Sequence, residues 1–431
     1  MYKIMKYKKI IALFFAGALI TSCTSDDVSS ESIFDTTAPQ RNEFDQWLKT
    51  NFTDEYNIDF IYRYNDKETD NTYNVVPAEV DKAKALAILV KNVWLDAYAT
   101  AVGKDFIKTY SPRVYQLIGS GEYRTNGEIV LGTAEGGLKI TLFMVNHLDP
   151  NNLYINQTEP FRDRTLTPLD LNFWFFHTMH HEFCHILTQT KNYSTDFQQI
   201  SAGKYHTGDW INVKDEDAPL EGFVTGYGSS EYNEDFAEIY ATYVTNTPEA
   251  WQSILDKGKV LISEDFARDK DGNFIYETDA EGNPIPELDE NGNFIYVTDE
   301  NGDIVYEKDK DGNYILARDE EGNPIPMIGE DGKPVKKLDD FGNPVYDVDF
   351  ETGQVYYVYE YEKVPMIEYK KKSTKTYDTA GSDAIEQKLD IIKTYLKESW
   401  NIDLDVLRNE VLTRSAKVSN GIDLINYKIK D

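Results

Sequence analysis

The stretch His181-Glu182-Phe183-Cys184-His185 decides the reading of this chain. Around it, Leu171, Phe173, Trp174, Phe175, Met179, Phe183, Ile186 and Leu187 supply apolar residues to more than one face of a helix, the pattern of a helix buried in a core. Asp170 or Thr167 can cap its start. Side chains four apart on a helix lie one above the other, so the imidazoles of His181 and His185 can reach one point while Glu182 faces a water held there. Two histidines and a glutamate at this spacing are the equipment of a Zn²⁺ centre for metal-assisted hydrolysis, in a chain with only six histidines. His177 and His180 share the segment, but a centre with four histidines would leave no use for Glu182. Both are therefore read as packing residues or as supports of the centre.

A hydrolytic zinc needs a third protein ligand and an open fourth position. The second apolar-periodic helix, Tyr232-Asn233-Glu234-Asp235-Phe236-Ala237-Glu238-Ile239-Tyr240-Ala241-Thr242-Tyr243, carries the candidates. Glu234 and Glu238 share a face, so one can bind the metal while the other accepts the outward N–H of a ligating histidine. Glu234 is assigned as the ligand and Glu238 as its supporting partner. Alone, acids in a first helical turn would be read as complements of the helix dipole.

The two strings together resemble a known family. Residues 181–185 followed by residues 234–238, with Tyr227 seven positions before Glu234, are similar to the gluzincin branch of zinc metallopeptidases. That branch includes the catalytic domain of anthrax lethal factor and the zinc-binding metallopeptidase lipoproteins of Bacteroidetes. The likeness covers roughly residues 36–262 and 378–431. It implies zinc on His181, His185 and Glu234, Glu182 as general base, and Tyr227 as hydrogen-bond donor to the developing oxyanion. Cys184 departs from the family, where small residues such as glycine are common. A thiol between two ligands on a helix points away from their face, so Cys184 is read as a small buried hydrophobe.

The implied chemistry is hydrolysis in which the metal acidifies water and polarises the scissile carbonyl, while Glu182 moves the proton to the leaving amine. Tyr227 lies in the turn Thr225-Gly226-Tyr227-Gly228-Ser229-Ser230, just before the ligand helix, where an oxyanion donor could reach. By position alone an aromatic there would be read as packing, so the role rests on the resemblance. His206 is the alternative donor.

The N-terminus sets the compartment. Lys3, Lys6, Lys8 and Lys9 precede an apolar run over residues 10–20 and then Thr21-Ser22-Cys23, the pattern of a lipoprotein signal peptide over residues 1–22 with Cys23 as the lipidated first residue. Ser25-Asp26-Asp27 resembles the acidic export signal of surface lipoproteins of Bacteroidetes. The expected location is an outer-membrane lipoprotein exposed at the cell surface. With Cys23 acylated, Cys184 has no partner, so stability must come from core and metal.

Of the 431 residues 41% are apolar, enough for a sizeable core plus an insertion. The formal net charge is −31, and losing the four signal-segment lysines takes it to −35. A surface so negative excludes nucleic acid and anionic lipid as partners and leaves the N-terminal lipid as the membrane tether. Much of the acid sits in a decapeptide repeat. Glycines recur at 272, 282, 292, 302, 312, 322, 332 and 342, each preceded three residues earlier by aspartate except where Gly329 stands. Residues 264–349 hold 25 acids and 8 bases. Each unit reads as an Asp-x-x-Gly-Asn turn followed by a short strand, so a β-meander or a β-solenoid-like spacer is expected. Asp309-Lys310-Asp311-Gly312-Asn313 looks like half of an EF-type loop, but no bidentate glutamate follows at the required place, which favours turn chemistry over calcium.

Elsewhere the order is mixed. Residues 57–64 alternate like a strand, 80–102 form a long amphipathic helix, and 114–117, 129–131 and 138–144 read as strands before the motif helix. Residues 138–144 are the candidate edge strand for pairing with extended substrate. Asp383 with Glu386 makes a capping-box start for a helix carrying Ile385, Leu389, Ile392, Leu396 and Trp400.

The expected fold class is α+β: a gluzincin-like metallopeptidase core, its zinc helix beside a small sheet, interrupted by an acidic β-repeat insertion. The expected segments are signal peptide 1–22, tether 23–35, core 36–262, insertion 263–377 and C-terminal helical part of the core 378–431. The expected function is a surface-anchored zinc metallopeptidase acting on peptides or proteins, linked through its family likeness to outer-membrane import proteins. The competing reading is a non-catalytic binding lipoprotein whose repeats capture a ligand beside a structural or vestigial zinc. Glu182 argues against it, since a structural site needs no general base.

Overall fold

In the computed structural model the described residues are 40–65, 73–123, 129–130, 132–135 and 137–430. The expected signal peptide and tether, with Cys23, and Leu131 of the expected third strand lie outside them. The chain divides into two compact units, one of residues up to 197 with 232–251 and 389–431, the other of 198–231 and 252–388. The second unit is wider than the expected 263–377 insertion, because 198–231 group with it.

The first unit is helix and sheet. Helix α1 runs over 43–56, capped by Asn42, whose side-chain oxygen accepts from Asp45 N at 2.7 Å while Asp45 Oδ2 accepts from Asn42 N at 3.0 Å. Helix α2, Val80–Ala101, matches the expected long helix, but it is buried on nearly every face. Ala85, Leu86, Ala87, Ile88, Leu89, Val90 and Val93 through Leu95 are all inaccessible, so the helix is a core element and its polar face is narrow. Helix α3, Lys104–Tyr110, follows.

The sheet comprises β1 (Asp59–Ile61), β2 (Val114–Leu117), β5 (Gly132–Glu135) and β6 (Lys139–Leu142), in the order β1-β2-β6-β5. A separate two-stranded ladder pairs β3 (Glu122–Tyr123) with β4 (Ile129–Val130). In the sheet, β1, β2 and β6 are parallel and β5 runs antiparallel to β6. This corrects one expectation: the segment 138–144 forms an interior strand, paired on both sides, and the edge is β5. The two-residue periodicity of 138–144 reports burial of a strand, and which strand ends the sheet is a matter of pairing that no local pattern encodes.

The motif lies on helix α4, residues 172–190, whose first part, Asn172–His177, is a π turn and whose remainder, Thr178–Thr190, is regular. Asp170 caps it as expected, accepting from Asn172 N at 3.0 Å. Helix α5, Tyr232–Thr245, packs against α4 on one side, and β5 lies along it on another. Gly132 permits that approach, since a Cβ there would stand 2.5 Å from Thr178 Cγ2. Phe183 seats α4 in the core, its ring edge-on to Trp94 at 5.2 Å and to Tyr98 at 5.2 Å.

Helix α6, Ala380–Trp400, starts earlier than the expected capping box. Asp383 sits inside the first turn, where Thr379 Oγ1 donates to Asp383 Oδ2 at 2.9 Å, and Asp378 Oδ1 accepts from Ala380 N. Its C-terminal end belongs to the first unit, where Trp400 packs edge-on to Tyr110 at 4.9 Å. Helix α7, Leu404–Lys417, packs on α5. Among the described residues no single helix is long and apolar enough to cross a membrane.

In the second unit, β7 (Val260–Phe266) pairs antiparallel with β10 (Ser373–Asp378), and the decapeptide array extends from that pair. Each unit closes a turn by one bridge, as Thr298↔Ile304 does, then touches a return segment, as Tyr296↔Ile367 and Tyr306↔Pro365 do. Ten residues of the outgoing chain thus advance two along the return. At the far end β8 (Tyr346–Val348) pairs with β9 (Val355–Tyr357). A meander would pair each strand only with its neighbours, so the shared return segment replaces that expectation. The turns themselves form as read. Gly312 adopts φ +87°, and Asp309 Oδ1 accepts from Asp311 N and Asn313 N, both at 2.9 Å. The carboxylate of the EF-like string is thus engaged in the turn.

Candidate metal centre

Two helices bring the predicted ligands together. His181 and His185 are one turn apart on α4, and Glu234 lies in the first turn of α5, 49 residues beyond His185 in the chain. Glu234 Oε2 is 2.9 Å from His181 Nε2 and 3.2 Å from His185 Nε2, and the two Nε2 atoms are 3.0 Å apart. A tetrahedral zinc with bonds of about 2.0–2.1 Å holds its ligand atoms about 3.3 Å apart, so this triangle fits one face of the tetrahedron. The imidazole nitrogens are borderline donors and the carboxylate oxygen a hard one, a mixed set that zinc takes. Among the described residues no fourth His, Cys, Asp or Glu joins the three.

Glu238, one turn after Glu234, takes the place predicted for it behind the ligands. Its Oε1 lies 2.8 Å from His181 Nδ1 and 2.9 Å from His177 Nε2. A metal taking the Nε2 lone pair of His181 would leave the proton on Nδ1, the nitrogen that faces Glu238. Burial by itself would push the His181 imidazole down, but its hydrogen bonds to Glu234 and Glu238 outweigh that and hold it well above the usual range. Burial would raise the Glu234 carboxyl, yet the bonds to His181 and His185 hold it far below the usual carboxylate range. Glu238 follows the same balance, burial opposed by the charge and N–H of His177 and the N–H of His181, and is held well below.

Glu182 is half-buried on α4 between the two histidines, on the side of β5: a Cβ added to Gly132 would stand 4.0 Å from its Cγ. Cys184 is buried and free, and it belongs to neither group of converging donors. Burial first, and the Glu234 charge second, push its thiol well up, which keeps it neutral. His180 turns into the core, its Nδ1 2.9 Å from Tyr98 Oη, which in turn bonds Tyr240 Oη. Burial lowers this imidazole to about 3, so it is a neutral packing residue. No sequence signal marks the Tyr98 and Tyr240 partners, because their contact is made across 142 residues of chain.

The two predicted oxyanion donors belong to the second unit. Tyr227 begins a 3₁₀ turn, Tyr227–Ser229, with its ring edge-on to Trp210 at 4.9 Å. The turn is tied down by Gly226 N donating to Asp215 Oδ1 at 2.8 Å and His206 N donating to Ser229 O at 2.7 Å. Gly226 is required there, since a Cβ would stand 2.1 Å from Val213 O. His206 places Nε2 2.8 Å from Glu221 and Nδ1 3.5 Å from Asp209, and its hydrogen bond to Glu221 raises its pKa against slight burial.

Comparison with known proteins gives the chain a family. The sequence model of the family described as "Putative zinc-binding metallo-peptidase" matches residues 37–287, more than half of the chain. The crystal structure of a protein of the same description from Bacteroides caccae is 28% identical, with 91% of this chain and 98% of that chain covered and a TM-score of 0.50. No curated protein matches. The chain belongs to this family of zinc-binding metallo-peptidases, and zinc is the metal its histidine and glutamate donors suit.

Proposed function

We propose that the protein is a zinc-dependent peptidase of the gluzincin type that hydrolyses peptide bonds. The observation that carries this reading is the convergence of His181 Nε2, His185 Nε2 and Glu234 Oε2 within 3.2 Å, with Glu182 on the same helix and no fourth ligand among the described residues. A structural zinc is closed by four protein ligands, whereas a catalytic one keeps a position open. Zinc, when bound, supplies a Lewis acid that polarises the scissile carbonyl and acidifies water. Glu182 takes the proton of the attacking water and returns it to the leaving amine. Glu238 keeps His181 in the tautomer that directs Nε2 inward. Tyr227 is the candidate oxyanion donor, a role that rests on the family resemblance of the string before the ligand helix. The outer edge of β5 offers backbone groups for pairing with an extended peptide.

The same reading puts the protein at the cell surface of an outer membrane, lipidated on Cys23 and working beside import proteins, with the decapeptide array as an inserted spacer for large substrates. Support comes from the lysines at 3, 6, 8 and 9, the apolar run and Thr21-Ser22-Cys23. The decisive experiment is incubation with a peptide library, read by mass spectrometry, before and after metal removal and after zinc is restored. Cleavage that is lost and regained with zinc is expected. Zinc binding without any cleavage would favour a binding protein instead. Incorporation of labelled fatty acid, abolished in Cys23→Ser, tests the anchor.

A further inference from the structure

We infer that His177 is a positioning residue of the metal centre, holding the Glu238 carboxylate so that the same oxygen fixes the orientation of His181. The inference rests on the proposed zinc site and concerns a histidine outside its ligand set. Glu238 Oε1 lies 2.9 Å from His177 Nε2, with which it shares a hydrogen bond, and 2.8 Å from His181 Nδ1, so one oxygen contacts both rings. The three side chains are 13%, 7% and 7% exposed for His177, His181 and Glu238, so water does not compete freely for these bonds. A carboxylate on a rotatable stem, bonded only to His181, could swing and let that ring turn. A second donor on the same oxygen removes that freedom.

The backbone is arranged for this contact. His177 is the last residue of the π turn Asn172–His177, immediately before the regular helix begins at Thr178. A π turn widens the helix and shifts the phase of the residues before it. The rings of His177 and His181 then stand 6.3 Å apart and 32° from parallel, both facing α5. The neighbouring His180 goes the other way, to Tyr98.

His177, His181 and Glu238 also form a group of donors close enough for a metal ion. A second metal there would require His181 to be deprotonated at both nitrogens. The 2.9 Å hydrogen bond between His177 Nε2 and Glu238 Oε1 accounts for that contact without an ion, and the number of zinc ions per chain separates the two readings.

The test compares two amides of different reach on full-length protein. The nitrogen of Gln extends about as far as Nε2 of histidine, and that of Asn stops short. Zinc affinity is measured by competition with a chromogenic chelator, metal content by elemental analysis, and folding by circular dichroism. His177→Gln is expected within about threefold of the wild type, and His177→Asn and Glu238→Ala about 10–100-fold weaker. The double variant His177→Asn/Glu238→Ala should be no weaker than Glu238→Ala, because both changes act through one carboxylate. If His177→Asn does not fold, His177→Leu replaces it in the same comparison. Unchanged zinc affinity in the folded short variant, additive losses in the double variant, or two zinc ions per wild-type chain would each overturn the inference. A wild-type protein that binds no zinc would overturn the metal centre itself, and this inference with it.

Discussion

His181 Nε2 and His185 Nε2 stand 3.0 Å apart on successive turns of α4, both within 3.2 Å of one oxygen of Glu234. Two imidazole nitrogens and a carboxylate oxygen gathered at one point are a donor set that suits a cation between them.

One zinc per chain should therefore bind and raise the melting temperature. Free metal at about 100 times Kd stabilises by about 2.7 kcal/mol when only the folded state binds. Because the ligands must lose protons to bind, the shift should shrink as the pH is lowered. Thermal unfolding with and without a chelator reads both effects, and His181→Ala should show no shift. A wild-type melting temperature indifferent to zinc at neutral pH contradicts the centre.

Glu182→Gln should keep zinc and lose hydrolysis. The substitution leaves His181, His185 and Glu234 in place and removes only the base, so turnover should fall by about two decades or more while metal content stays at the wild-type level. Equal turnover in the variant would exclude Glu182 as the base.

Glu234→Ala should weaken zinc binding more than Glu238→Ala. The first change removes a donor whose oxygen lies within 3.2 Å of both imidazole nitrogens, the second a support of His181, an effect of about 10–100-fold. Metal titration of the two variants ranks them, and the reverse order would exchange their roles.

Excising the array should spare the centre. Phe266 and Ser373 are paired across β7 and β10, so a tight turn can join them in place of 267–372. Repeats contact mostly their own neighbours, and every ligand lies in the first unit. Zinc binding and cleavage of a short quenched peptide should persist, while cleavage of whole proteins changes. Loss of folding together with zinc would make the array part of the core.

Some of this protein is written locally. The spacing of His181 and His185, the acids at 234 and 238, and the Asp-x-x-Gly turns depend on a few consecutive residues, because helical phase and turn dihedrals act over four or five positions. The sequence by itself therefore determined the motif helix, the ligand helix and the turn of each decapeptide. Tertiary structure decided the rest. Pairing moved the sheet edge from 138–144 to β5, and packing narrowed the polar face of the amphipathic helix α2 until it became a core element. The return segment that the repeats share carries no decapeptide pattern of its own, so nothing in its sequence announced the partner. His177 could have been packing or support until α5 brought Glu238 to 2.9 Å from it. Such contacts join residues dozens of positions apart, and their geometry is set only when whole elements pack.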